Sequence, residues 1–405
     1  MNRPPLCVKI TEARDGKGFR TQSNTRQREV SEFSMDAKRF IEITGAGFFA
    51  GVPDSLLKPL CDCLYETYGI SDRHIIAANE GNAVALAAGH FLATGEPGMV
   101  YMQNSGIGNT VNPVCSLLNE KVYGIPVLFV VGWRGEPGVH DEPQHVFQGE
   151  VTIPQLEGLG IDCFVLAKDT PEEELQRFIN KSREGFENGR SAAVVVKKGA
   201  LSYGGNPDYS NGAALSRERA IELITEVFEG AAIVSTTGKA SRELFEIRER
   251  RGEKHETDFL TVGSMGHSSS IALAIALAKP DKKVVCIDGD GAMLMHLGAV
   301  PVIGELAPEN LVHIVINNGA HDTVGGEPVA LKKCDVTAFP KASGYGLVTS
   351  ADSEETLRAA LETVKNFKGT AFLEVRTANG ARKDLGRPTL TARQNVESFR
   401  QFLKK

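Results

Sequence analysis

Val284-Val285-Cys286-Ile287-Asp288-Gly289-Asp290-Gly291 is an apolar run that ends in a glycine-flanked acid, and Asn317-Asn318-Gly319 closes the next such run, with Asn318 lying 28 positions beyond Asp290. The two runs read as strands, and residues 292–306 between them as a crossover helix. In a parallel sheet that crossover returns both strand ends to the same carboxyl edge, so Asp290 and Asn318 converge. A carboxylate, an amide oxygen and a nearby main-chain carbonyl are hard oxygen ligands of the kind Mg²⁺ takes, with phosphate oxygens and water completing its octahedron. Gly289 and Gly291 let the backbone approach a diphosphate at the start of the following helix, where free N–H groups and the helix dipole favour anions. Either motif alone also reads as an ordinary turn.

The same rhythm extends in both directions. Apolar runs at 48–51, 74–77, 99–103, 126–131, 163–167 and 192–196 alternate with amphipathic stretches, and the pattern restarts with strands at 232–235, 283–287, 312–316 and 370–375. Such alternation predicts an α/β fold of parallel sheets flanked by helices. Residues 204–211, rich in Gly and Asn, read as a linker. The expected organisation is an N-terminal extension of poor order (1–34), a first α/β domain (35–203), a linker (204–215) and a second α/β domain (216–405).

Composition narrows the function classes. The chain has 405 residues, 45 basic and 51 acidic side chains and a formal charge of -6. No basic run is long enough to track nucleic-acid phosphates, and no apolar run approaches the roughly 20 residues that span a bilayer. A cytoplasmic protein is expected. Seven scattered cysteines predict no disulfide framework, and Cys61 and Cys63 read as structural thiols on a helix.

Two further stretches carry chemistry. Ala77-Ala78-Asn79-Glu80-Gly81-Asn82-Ala83 opens an Ala-rich helix, where Glu80 alone could simply favour the helix dipole. Thr261-Val262-Gly263-Ser264-Met265-Gly266-His267 places Met265, by itself an adaptable core filler, directly before a glycine. Together with the Asp290 and Asn318 motif, these resemble the cofactor-gripping elements of thiamine diphosphate enzymes.

The resemblance covers nearly everything from Met35 onward. It implies two thiamine diphosphate-binding domains with no middle domain, thiamine diphosphate and Mg²⁺ as cofactors, and Asp290, Asn318 and the Ala320 carbonyl as metal ligands. Gly263, Met265, Gly289, Gly291 and Ala292 would line the cofactor. Glu80 would meet its aminopyrimidine and promote removal of the C2 proton. The missing middle domain, together with Gly51-Val52-Pro53-Asp54, Trp133-Arg134-Gly135 and Gly319-Ala320-His321-Asp322, resembles the compact decarboxylases of phosphonopyruvate and sulfopyruvate.

The implied reaction is nonoxidative decarboxylation of 3-phosphonopyruvate to phosphonoacetaldehyde and CO₂ through a C2 carbanion and an enamine. Sulfopyruvate is the alternative substrate, with the single fused chain leaning toward the phosphonate. Asp54, Ser55, His267 and His321 are acid–base candidates, and Arg134, Lys239 and Arg242 are candidates for the second anion. His140 and His145 lie on a loop that would close over the substrate. Family members place Glu80 and Asp290 on neighbouring subunits, which implies at least a homodimer. A nicotinamide-dependent dehydrogenase is the competing enzyme class, but Gly289-Asp290-Gly291 lacks the third glycine of its phosphate-binding run. A degenerate, non-catalytic cofactor fold is the other alternative, opposed by the presence of Glu80, Asp290 and Asn318 in one chain.

Overall fold

The computed structural model describes residues 34–405, so the expectation for the N-terminal extension falls, apart from Ser34, outside the described residues. A short parallel pair, β1 (Met35–Asp36) with β8 (Leu201–Ser202), ties the start of the described chain to the end of the first α/β half.

The first sheet contains β2 (Phe49–Gly51), β3 (His74–Ile76), β4 (Gly98–Gln103), β5 (Val127–Gly132), β6 (Asp162–Leu166) and β7 (Ala192–Val196), in the order β3-β2-β4-β5-β7-β6. The second contains β9 (Ala232–Ser235), β10 (Asp258–Leu260), β11 (Val284–Gly289), β12 (Leu311–Asn317), β13 (Leu347–Ala351) and β14 (Ala371–Arg376), in the order β10-β9-β11-β12-β14-β13. Every pairing is parallel. The two orders are identical once renumbered, so the chain repeats one topology. In each sheet the strand order reverses between the first and third strands, and a doubly wound sheet opens its binding crevice at the carboxyl ends there.

Sequence explains why these strands are central. All six residues of β5, Val-Leu-Phe-Val-Val-Gly, are buried, as they must be in a strand covered by helices on both faces. Val127, Phe129 and Val131 pack into one apolar cluster and Leu128 and Val130 into another, so alternation distributes a single strand between two cores. Each such side chain, fully buried, contributes about 1.5–3 kcal/mol of transfer free energy. The second sheet is sandwiched in the same way.

The helices of the first half are α1 (Ala37–Thr44), α2 (Lys58–Tyr68), α3 (Glu80–Thr94), α4 (Ile107–Pro113), α5 (Pro143–Gly158) and α6 (Glu172–Glu187). Those of the second are α7 (Arg217–Val227), α8 (Lys239–Arg251), α9 (Ser268–Ala278), α10 (Asp290–Met295), α11 (Ala299–Leu306), α12 (Ala338–Ala342), α13 (Glu354–Asn366) and α14 (Ala392–Lys404). Helix α3 starts where the Asn79 side chain accepts from Asn82 N and stops at Gly95 in the left-handed region. The single helix expected over 292–306 is in fact two, parted at residues 296–298. The strands β10 and β13 and the helices α5 and α14 go beyond the sequence reading. Among the described residues no helix is long and apolar enough to cross a membrane, and Cys61 and Cys63 are buried free thiols on α2.

Candidate active site

Asp290 starts α10 at the carboxyl end of β11 and is 4% exposed. Its Oδ1 accepts from Gly291 N and its Oδ2 from Gly319 N, both at 2.8 Å. The carboxylate therefore bridges the ends of β11 and β12, which is the convergence the spacing predicts. Asn318 is also buried, and its Oδ1 accepts from Ala320 N at 3.0 Å. Burial pushes Asp290 up to about 7, because amide donors alone do not offset the cost of a buried charge. A divalent cation would offset it, so the donor set fits Mg²⁺.

Directly above, a Cβ on Gly289 would meet nothing nearer than 3.9 Å, which leaves the turn open for a bulky anion. A Cβ on Gly291 would be closer to its neighbours, 3.3 Å from Val329 and 3.5 Å from the His321 ring. His321 is buried, and desolvation holds its imidazole down at about 4, so it is neutral at pH 7.

The loop carrying Met265 is folded by backbone conformations that side chains disfavour. Gly263 (φ 68°), Ser264 (φ 49°) and Gly266 (φ 85°) all lie in the left-handed region, and for Ser264 that stores strain. Gly263 N donates to Thr237 Oγ1 at 3.0 Å. A Cβ on Gly266 would sit 2.8 Å from Ala292 O, so the loop is pressed onto α10. Met265 is half-buried. His267 is exposed, with its ring 4.3 Å from that of His296.

At the edge of the first sheet, Glu80 is 5% exposed and its Oε2 accepts from Asn109 Nδ2 at 2.7 Å. Burial raises its pKa. Asp54, fully buried, accepts from Gln103 Nε2 at 2.6 Å and from Leu56 N at 3.0 Å, and burial raises its pKa as well.

The two edges meet within one chain. Asn79, next to Glu80, donates through Nδ2 to Met295 O at 3.3 Å, at the far end of the helix that Asp290 begins. The Gln144 side chain reaches within 3.4 Å of the Cβ direction of Gly263.

Cationic groups gather beside this seam. The Arg134 guanidinium donates to Asp141 from Nε (2.8 Å) and Nη2 (2.5 Å), and from Nη1 to Ser55 Oγ (3.1 Å). Asp141 is held well below the usual carboxylate range by that guanidinium and two amides. Arg242 is half-buried, and its guanidinium makes no hydrogen bond or ion pair among the described residues. Arg387, Glu142 and Arg134 all act on it electrostatically, and burial lowers its pKa. Arg387 pairs with Glu142.

The other substrate candidates divide. His145 is buried in the first turn of α5 rather than on a loop. Its Nδ1 has no partner, and desolvation holds it at about 4. His140 is exposed. Lys239 is committed elsewhere: its Nζ donates to Asp322 O at 2.8 Å and Oδ1 at 3.3 Å, and Asp322 also pairs with Arg217.

Sequence reasoning gives no role to Glu142, Arg387 or Glu327, the first two being surface-like residues in isolation. Both Glu327 carboxylate oxygens are buried without a hydrogen bond, and desolvation raises the group to about 7 despite the nearby Lys58. The partnerships of Asn109 with Glu80 and of Gln103 with Asp54 emerge only from the fold.

Comparison with known proteins agrees with this geometry. The pattern described as thiamine pyrophosphate enzyme, N-terminal TPP binding domain, matches residues 39–157, and its C-terminal counterpart matches 236–375. Phosphonopyruvate decarboxylase of Streptomyces viridochromogenes is 36% identical over 384 residues, covering 89% of this chain and 93% of its own. The protein of that name from Streptomyces hygroscopicus is 36% identical over 387 residues, with 89% and 92% covered. Sulfopyruvate decarboxylase of Methanosarcina acetivorans is 28% identical over 365 residues, with 84% and 90% covered. The nicotinamide-dehydrogenase alternative falls away, and this chain belongs to the thiamine diphosphate-dependent decarboxylases of 2-oxo acids.

Proposed function

We propose that the chain decarboxylates 3-phosphonopyruvate to phosphonoacetaldehyde and CO₂. The observation that carries the choice of a doubly anionic substrate is the half-buried Arg242 guanidinium, which has no bonding partner among the described residues and stands near Arg134 and Arg387 at the seam between the halves. A phosphonate dianion satisfies planar guanidinium donors bidentately. The names borne by the two Streptomyces relatives support the same substrate.

When bound, thiamine diphosphate supplies the nucleophilic carbon and the electron sink for loss of CO₂. Asp290, Asn318 and the Ala320 carbonyl would hold its Mg²⁺, and Glu80 its aminopyrimidine. Asn109 fixes the Glu80 carboxylate, and burial keeps it protonatable. Asp54, held by Gln103, is a second buried acid able to carry a proton. His321, neutral at pH 7, serves as an acceptor and not as an acid. Lys239 fixes Asp322 and leaves anion binding to the arginines.

Sulfopyruvate is the second reading. The Methanosarcina relative bearing that name matches this chain along 90% of its own length, so a fused chain does not by itself favour the phosphonate. Self-association belongs to the proposal. Leu92, Tyr123 and Phe147 are each more than 70% exposed, large apolar side chains that a second copy would cover. The test supplies phosphonopyruvate and sulfopyruvate separately, with and without thiamine diphosphate and Mg²⁺, and measures aldehyde release. Turnover of the sulfonate without turnover of the phosphonate overturns the substrate choice.

A further inference from the structure

Behind the Gly289–Asp290 turn lies a fully buried polar network with no part in the chemistry above. Asp288 is 0% exposed. Its Oδ1 accepts from Gly289 N at 2.9 Å and from Ser268 Oγ at 3.0 Å, and its Oδ2 lies 3.4 Å from His313 Nε2. On the far side His313 Nδ1 is 3.2 Å from Tyr345 Oη. A carboxylate only accepts, so the proton sits on Nε2, and Nδ1 accepts from the tyrosine. Cys286, fully buried on β11, lies beside the group. The potential ligand atoms of Cys286, Asp288 and His313 all lie within 4.8 Å of one another, but Asp288 and His313 are already engaged by hydrogen bonds.

The partners of Asp288 matter because of what they adjoin. Gly289 precedes Asp290, at the diphosphate end of the site. Ser268 is the first residue of α9 and directly follows the loop 263–267, which carries Met265. The preceding residue His267 offers no side-chain cap, so the Asp288 carboxylate also supplies the negative charge that the start of α9 favours.

We infer that Asp288 is a positioning residue that locks the Met265 loop and the Gly289–Asp290 turn into one rigid unit, setting the spacing between the two grips on the cofactor. The inference rests on the reading that these two loops bind thiamine diphosphate. Partners behind a metal-binding shell are worth roughly 10–100-fold in affinity.

The experiment compares two ligands of which only one needs the Met265 loop: inorganic diphosphate and thiamine diphosphate, each titrated with Mn²⁺ while free Mn²⁺ is read by electron paramagnetic resonance. Ser268→Ala cuts the link to the loop alone, so it should weaken thiamine diphosphate about tenfold and leave inorganic diphosphate unchanged. Asp288→Leu should weaken both. Asp288→Asn keeps an oxygen for Gly289 and Ser268, and a tautomer change in His313 accommodates its amide, so it should stay within about threefold of wild type.

A purely structural role would lower the melting temperature of Ser268→Ala and weaken both ligands alike. That result, or unchanged binding of thiamine diphosphate, overturns the inference. Asp290→Ala separates the two levels: if it still binds diphosphate, the site reading itself fails, and if it loses diphosphate while Ser268→Ala is unaffected, only the role of Asp288 fails. Should Asp288→Leu not fold, Ser268→Ala decides alone.

Discussion

Gly106→Ala is a one-methyl probe of Glu80. Gly106 has φ -75° and ψ -14°, a conformation any residue adopts, so alanine brings no backbone strain. By restricting the unfolded chain it should even stabilise by about 0.4–1 kcal/mol. The new Cβ, however, would lie 2.4 Å from Glu80 Oε1 and 2.5 Å from Cδ and Cγ, where ordinary contact begins at 3.4 Å. The three nearest atoms it meets are all side chain of Glu80, so the fold can stay put while the carboxylate retreats by about 1 Å, against its hydrogen bond from Asn109. A misplacement of that size costs roughly 100-fold, about 2.7 kcal/mol of activation free energy. The assay is hydrogen–deuterium exchange at C2 of the bound cofactor, followed by NMR and paired with a thermal melt. Gly106→Ala should exchange about 100-fold slower at an unchanged or slightly higher melting temperature. Gly108→Ala, whose Cβ would meet nothing within 4 Å, serves as the control and should match wild type. Exchange within twofold of wild type in Gly106→Ala would refute the assignment of Glu80 to proton activation.

Arg242→Gln should raise KM for phosphonopyruvate by more than tenfold while leaving thiamine diphosphate affinity within about twofold, since charge-assisted bonds to the second anion are what it removes; an unchanged KM excludes Arg242 from substrate binding. His145 is held at about 4 in the fold against 6.5 when free, so its neutral form stabilises the fold fully above 6.5, and that contribution is lost as pH falls from 6.5 toward 4. His145→Gln should therefore flatten the loss of melting temperature across that window, and an unaltered acid limb counts against the assignment. Gly149→Ala would place a Cβ 1.7 Å from Gly135 O, a backbone collision that no rotamer relieves. It should cost about 3 kcal/mol or more in urea unfolding, and wild-type stability would show that this crossing is looser than described.

The fold was legible wherever burial dictates residue type. Val127 to Val131 and Val284 to Ile287 read as central strands because helices cover both faces, and such strands cannot afford polar residues. β10 and β13 escaped because they lie at sheet edges: β10 opens on Asp258, buried against Arg248, and β13 is only partly covered, so neither shows the apolar run. The break at residues 296–298 was written locally but passed over: Gly298 ends the gap as the cap of α11 and Pro301 sits in the first turn of that helix, while the loop that ends at Gly266 packs against His296 and Ala292 O beside it.

For the site, the readable part was the part fixed by local backbone chemistry. Glycine-flanked acids at strand ends announce Asp290 and Asn318, because a turn that approaches an anion closely constrains several neighbouring positions at once. The group proposed for the second anion carries no such constraint. Arg134 lies beyond β5, Arg242 on α8 and Arg387 in the segment before α14, so the group exists only once distant segments have folded together. One solvated arginine looks like another in sequence, and only burial without a partner singles out Arg242. Lys239 makes the converse point: its place at the start of α8 matched the expectation for an anion ligand, and the turn that brings Asp322 beneath it, 83 positions away in sequence, gave its ammonium another task. On the proposed reading, then, the residues that would hold the cofactor are written locally, whereas those that would choose the substrate come together only through contacts between distant segments.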